Sequence, residues 1–218
     1  MKQEIADKIA KAGILGMLII DKAEHAVPVA RALLKGGVNT LEIPLRTPAA
    51  MEAARIIKKE LPGIVVGVGT ILTVDQVKQV ADIGADFAVS PGCNPKIIKA
   101  AGNVGMPFSP GIATPTDIET AIENGCRILK YFPAATMGGM KHLESMGAPY
   151  FHLNLKYIPL GGVNMTNAES YLRSDLIIAI GGSWIAKREL INAGNWDQIT
   201  QNAEEAVSLF KKIKSEKL

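Results

Sequence analysis

Eight short apolar runs, each followed by a stretch with helical spacing, restrict the folding of this chain more than any other feature. The runs are ILGMLII, NTLEIPL, GIVVGVG, ADFAVS, PFSP, RILKYF, KYIPL and LIIAIGG. They end near Ile20, Leu45, Gly69, Ser90, Pro110, Phe132, Leu160 and Gly181. The interval is roughly 20–29 residues, the length of a strand with its returning helix. Several runs are nearly unbroken aliphatic sequence, the pattern of parallel strands covered on both faces. Ala26, Val29, Ala30, Leu33 and Leu34 follow helical spacing, and Gly36-Gly37 stops that helix. Ala203, Ala206, Val207, Phe210 and Ile213 form another apolar stripe, and Gly84, Gly105 and Gly125 each separate a helical stretch from the next run.

Eight alternating units predict an α/β fold, a single (β/α)8 TIM barrel occupying residues 1–218 as one domain. The first thirteen residues mix Lys2, Glu4, Asp7, Lys8 and Lys11 with Ile5 and Ile9, which predicts an extra amphipathic N-terminal helix and not a signal peptide. An open doubly wound sheet is the alternative, but GVGT lacks the following glycine spacing that such sheets use for dinucleotides. Apolar residues at 48% and charged residues at 21% exclude a disordered chain. The two cysteines, Cys93 and Cys126, exclude a disulfide scaffold and read as reduced structural thiols. His25, His142 and His152 lack ligand spacing, so neither a metal nor a cofactor is expected. A formal charge of +3 points to no nucleic acid and no membrane partner, but fits small anionic ligands. The longest early apolar run, residues 12–20, is far shorter than a membrane span, and a cytoplasmic protein is expected.

In such barrels the active site lies at the C-terminal ends of the strands, so polar residues late in the runs stand out. Lys130 sits in Ile128-Leu129-Lys130-Tyr131-Phe132, and strand alternation places Ile128, Lys130 and Phe132 on one face. An ammonium in that company is costly unless paired or neutralised. It is either a structural lysine that pairs or reaches outward, or an amine nucleophile towards carbonyls. Glu42, Pro44 and Arg46 share a face of the second run. Glu42 and Arg46 lie roughly 13 Å apart along a strand, so they are two separately satisfied charges, or a proton-transfer carboxylate and an anion clamp. Thr70 offers a hydroxyl, or caps the next helix. Two glycine pairs, Gly161-Gly162 and Gly181-Gly182, end the last two runs, where barrel enzymes commonly hold phosphate on backbone N–H groups.

Taken in order, these residues resemble a known family, the class I 2-keto-3-deoxy-6-phosphogluconate aldolases, which overlap with 4-hydroxy-2-oxoglutarate aldolases. The resemblance rests on EHAVPVA from Glu24, GGV at Gly36, LEIPLRT from Leu41, GVGT at Gly67 and SPG at Ser90. It continues through PGIAT at Pro110, LKYFPA from Leu129, GGV at Gly161 and IGGSW from Ile180. It implies a homotrimeric barrel that cleaves a phosphorylated keto-deoxy sugar acid to pyruvate and glyceraldehyde 3-phosphate. It further implies that Lys130 forms the Schiff base and Glu42 shuttles protons. Arg46 and Thr70 then hold the substrate carboxylate, Pro91 and Phe132 line the pocket, and the glycine pairs with Ser183 bind phosphate. A protonated imine is its own electron sink, so this chemistry asks for an amine, an acid–base group and anion clamps. On this reading Lys130→Ala removes the chemistry and leaves the fold intact, because the lost charge is only a burial cost.

Two departures from the family pattern concern the substrate and not the reaction class. Leu160 stands before the first glycine pair where a hydroxyl residue is usual, and Ala135 stands where an acidic residue is common. Leucine cannot hydrogen-bond a substrate hydroxyl, so the C4 configuration stays open between gluconate and galactonate. Two rivals are a sugar-phosphate isomerase or epimerase, which would use a carboxylate pair or metal, and a silent sugar-acid-phosphate sensor. Only the aldolase traps an imine.

Overall fold

Strands and helices alternate along nearly the whole chain. The computed structural model describes residue 1 and residues 3–217; Lys2, assigned by sequence to the N-terminal helix, and Leu218 lie outside the described residues. The strands are β1 (Ile14–Met17), β2 (Thr40–Pro44), β3 (Val65–Gly69), β4 (Phe87–Val89), β5 (Phe108–Ser109), β6 (Gly111–Ile112), β7 (Ile128–Tyr131), β8 (Lys156–Pro159) and β9 (Ile180–Gly182). The helices are α1 (Gln3–Ala12), α2 (Ala26–Lys35), α3 (Ala50–Glu60), α4 (Val74–Asp82), α5 (Pro95–Asn103), α6 (Pro115–Glu123), α7 (Gly139–Gly147), α8 (Ala168–Leu172), α9 (Arg188–Asn192) and α10 (Trp196–Ser215).

The sheet is parallel throughout and curled, but it is not the eight continuous strands that the sequence predicts. One ladder runs β5-β4-β3-β2-β1-β9 and a second runs β6-β7-β8. Pro110 is the physical cause of the break. It has no N–H to donate, so the fifth run splits into β5, paired to β4, and β6, paired to β7. The Pro110 carbonyl still accepts from Lys130 N at 2.9 Å. Beside β8 the connection towards β9 is a single parallel bridge, Tyr157 to Ile177, with Ile178 N donating to Tyr157 O at 3.2 Å. β1 ends at Met17, short of the predicted Ile20, although Leu18 N still donates to Glu42 O at 2.9 Å.

Strand alternation divides the apolar side chains into two layers. Leu41, Ile43, Val66, Val68, Leu129 and Tyr131 pack outward among the helices. Leu15, Val65, Phe87, Val89, Ile158 and Leu160 form an inner cluster. Helix α1 closes that cluster, because its apolar stripe buries Ile5 and Ile9 against it. Each such isoleucine contributes roughly 1.5–3 kcal/mol by leaving water. Capping boxes at Thr73/Gln76 and Thr114/Asp117 start α4 and α6. Gly84 and Gly125, at φ +72° and +79°, turn α4 and α6 back towards the sheet in a conformation that other residues adopt at a cost. This layering leaves the inward positions at the strand C-termini for polar side chains.

Candidate active site

Lys130 and Glu42 are 88 residues apart in sequence and meet inside the curled sheet. β2 and β7 each turn one charged side chain inward between two outward apolar ones: Leu41 and Ile43 flank Glu42, and Leu129 and Tyr131 flank Lys130. Lys130 Nζ donates to Glu42 Oε1 at 2.8 Å, with the two side chains only 7% and 2% exposed. The same Nζ lies 5.3 Å from the centre of the Phe132 ring. Glu42 Oε2 is buried and has no hydrogen-bond partner among the described residues. A buried charged oxygen without a partner is costly, and this one borders a cavity of about 430 Å³ that can admit a ligand to meet it.

That cavity brings most of the sequence candidates together. Glu42, Arg46, Lys130, Phe132, Gly161, Gly162, Gly182 and Ser183 all line it, as does Leu160. Arg46 lies just past β2, its Nη2 3.8 Å from Met17 Sδ, with no carboxylate partner among the described residues. The chain bend beyond β2 is what carries Arg46 to the same cavity as Glu42, which a straight strand would not do. Gly161 and Gly162 hold φ of +89° and +77°, so this turn needs glycine for its backbone as well as for its open surface.

Three candidates lie outside that lining. Thr70 follows β3 with φ +59°, an uncommon conformation for a non-glycine residue. It does not cap α4; Thr73 does. Pro91 lines a separate recess of about 310 Å³ with Ser90 and Cys93. Burial pushes the Cys93 thiol up to about 12. Gly181 is buried, and a Cβ there would lie 3.0 Å from both Leu15 Cδ2 and Leu160 Cδ2.

Sequence reasoning missed Met17, Val163, Asn164, Trp184 and Lys187, which complete the cavity wall. Asn164 had a legible signal, since asparagine after a glycine pair is a turn former. Asn164 Nδ2 and Asn167 Nδ2 donate to Gly162 O at 3.2 and 3.0 Å and so fix the glycine turn. Lys187 is exposed and has no carboxylate partner among the described residues. Three basic side chains, Lys130, Arg46 and Lys187, therefore face one acidic one, Glu42, around the cavity. No group of three or more His, Cys, Asp or Glu side chains that could hold a metal occurs among the described residues. Among those residues no helix is long and apolar enough to cross a membrane.

A curled parallel α/β sheet with an amine–carboxylate pair at its strand ends is the framework of an enzyme, and comparison with known proteins gives its class as a lyase. Residues 5–202 match the family described as KDPG and KHG aldolase, and the chain belongs to that family. It is 39% identical over 204 residues to the 2-dehydro-3-deoxy-phosphogluconate aldolase of Dickeya dadantii (strain 3937), covering 93% of this chain and 95% of the relative. It is 39% identical over 203 residues to the KHG/KDPG aldolase of Escherichia coli (strain K12), covering 93% and 94%. Among solved structures, the KDPG aldolase of Legionella pneumophila superimposes with a TM-score of 0.87 at 33% identity, covering 92% of this chain and 96% of that one. That structure holds pyruvate captured as a covalent carbinolamine intermediate. The Zymomonas mobilis ZM4 aldolase, solved with 3-phosphoglycerate, gives a TM-score of 0.84 at 35% identity, covering 94% and 95%. The family read from the ordered motifs is thus the family the comparisons show.

Proposed function

We propose that this chain is a class I aldolase that cleaves 2-keto-3-deoxy-6-phosphogluconate to pyruvate and glyceraldehyde 3-phosphate, and also 4-hydroxy-2-oxoglutarate to pyruvate and glyoxylate. The observation that carries the reading is the buried Lys130–Glu42 pair, 2.8 Å between Nζ and Oε1, bordering a cavity with further cations. Lys130 passes a proton to Glu42, the neutral amine adds through Nζ to the C2 carbonyl, and Glu42 returns that proton to the carbinolamine hydroxyl, which leaves as water and gives a protonated imine. Glu42 takes the proton of the C4 hydroxyl, directly or through water, and the C3–C4 bond breaks. Its electrons pass into the imine to form an enamine, and the aldehyde leaves. The enamine takes a proton at C3, and water releases pyruvate and restores the amine. Oε2, which has no partner among the described residues, is the oxygen available for these transfers.

Around that centre, Arg46 clamps the substrate carboxylate with its two-pronged donor. Phe132 and Leu160 form the wall, and the Gly161-Gly162 turn with Gly182 and Ser183 receives the phosphate on backbone N–H groups. Thr70 beside Arg46 at the substrate carboxylate, Pro91 in the pocket wall and Gly181 in the phosphate cradle are proposed on the family pattern, since none of the three lines the cavity. Leu160, 4% exposed, presents an apolar wall where a hydroxyl could have selected the C4 epimer, so discrimination between gluconate and galactonate configurations is weak. The two ladders act as one closed eight-unit barrel and a single domain, supported by the parallel bridge from β8 and by the shared inner cluster. A homotrimer in the cytoplasm completes the proposal. Exposed Leu72 and Val74 are available for subunit contact, and both cysteines are free, as a reducing compartment allows.

Borohydride reduction in the presence of pyruvate, followed by peptide mass mapping, tests the reaction class and the nucleophile together. Pyruvate is expected on the peptide containing Lys130. Label on another lysine, or none on active enzyme, overturns the assignment.

A further inference from the structure

We propose that Gly69 is a positioning residue for the amine–carboxylate pair, because its missing side chain is the space in which the Glu42 carboxylate lies. The inference rests on the reading of Glu42 as the proton shuttle. A Cβ on Gly69 would stand 2.1 Å from Glu42 Oε1, 2.8 Å from Cδ and 3.0 Å from Cγ. No carbon approaches an oxygen at the first of these distances without one of them moving. Oε1 is also the atom that accepts from Lys130 Nζ at 2.8 Å. A methyl group at Gly69 therefore displaces the one oxygen that holds the amine.

Backbone conformation does not explain this glycine. Gly69 is an ordinary strand residue at the end of β3, in register with Pro44, and its carbonyl accepts from Leu45 N at 2.9 Å. Its φ lies outside the left-handed region in which ten other glycines of the chain fall. Any residue could take up that backbone; what the site requires is the absence of a side chain. Glu42 is buried and holds Lys130 through Oε1, so a shift of its carboxylate away from Gly69 is made at the expense of that bond. Gly67, the preceding inward position of β3, provides the contrast. The three atoms nearest a Cβ there all belong to the Phe87 ring, the first at 2.1 Å, so Gly67 makes room for that ring in the inner cluster.

A carboxylate shuttles protons only within hydrogen-bond reach, about 2.6–3.2 Å or through one water. Displacing it by about 1 Å breaks its bond to Lys130 and moves Oε2 away from the substrate, and a shift of that size costs on the order of 10²-fold in rate.

The test is a double-mutant cycle on the full chain with wild type, Gly69→Ala, Glu42→Ala and the double variant. The measurements are kcat and KM for 2-keto-3-deoxy-6-phosphogluconate, the rate of borohydride trapping of pyruvate, and the melting temperature. Gly69→Ala is expected to lower kcat by about 10²-fold while KM changes by less than about threefold. In the Glu42→Ala background there is no carboxylate to displace, so adding Gly69→Ala should change kcat and trapping by less than about twofold and leave the melting temperature unchanged. The same loss of rate in both backgrounds, or wild-type kinetics for Gly69→Ala, overturns the inference. If Gly69→Ala alone does not fold, the double variant decides: melting with Glu42→Ala supports the inference, and failing to fold overturns it. Glu42→Ala at wild-type turnover would instead remove the assignment of Glu42 itself, which keeps the two failures distinct.

Discussion

Replacing Lys130 should destabilise the fold as well as abolish imine formation. Sequence alone suggests the opposite, that a lysine in an apolar run is only a burial cost. In the structure the cost is already offset, because Nζ lies 2.8 Å from Glu42 Oε1 and both side chains are buried. Taking away the amine strands the carboxylate with both oxygens unpartnered among the described residues, since Oε2 has no partner there to begin with. Breaking a buried ion pair from one side typically costs about 3–5 kcal/mol. This pair borders a cavity of about 430 Å³, which admits solvent, so the lower end applies. At about 2–4 °C per kcal/mol for a domain of this size, a loss of about 3 kcal/mol lowers Tm by roughly 6–12 °C. Lys130→Met isolates the charge, because it keeps an unbranched stem of similar length. Lys130→Met/Glu42→Gln removes both charges and should recover most of the loss. Calorimetric melting at pH 7 and equal protein concentration compares wild type, both single variants and the double. If Lys130→Met melts within about 2 °C of wild type, the pair contributes nothing to holding the fold and the reasoning fails.

Three further outcomes are expected. Gly161→Ala forces a side chain into φ +89° against Pro133 and Phe132, so it should cost about 1–2 kcal/mol and raise KM for the phosphorylated substrate more than for 4-hydroxy-2-oxoglutarate; equal losses on both substrates would place the phosphate elsewhere. Leu160→Thr should raise the ratio of kcat/KM for the gluconate over the galactonate epimer, and a strong wild-type gluconate preference left unchanged by the substitution refutes that role. The Arg188 and Asn192 side chains on Asp21 hold its carboxyl down at about 2, below its ordinary 3.8. A lowered folded value means that stability is present above the ordinary value and is lost as pH falls through the folded one. Wild type should therefore lose this contribution between about pH 4 and pH 2, whereas Arg188→Ala should keep only the smaller part that Asn192 supplies. Acid titration of Tm for both proteins checks this, and parallel curves would contradict it.

The periodic apolar runs determined the alternation of strands and helices, the parallel sheet and the inward face of each charged strand residue, because side-chain direction in a strand follows directly from position. The ordered motifs likewise made the family legible. What periodicity could not determine was the break at Pro110, where a missing N–H divides one run between two ladders. Spacing also left the Glu42–Arg46 separation looking too long for one site, until the bend beyond β2 brought both to one cavity. Whether Lys130 is paired or isolated depends on a carboxylate 88 residues away, and so does the sign of its effect on stability. Gly69 shows the same limit. In the sequence it is one glycine of GVGT, and only the curled sheet, by laying β3 alongside β2, reveals that the atom it must leave room for is Glu42 Oε1. A sequence fixes which face a side chain occupies through local geometry, but the distance between two side chains depends on how the whole sheet curls.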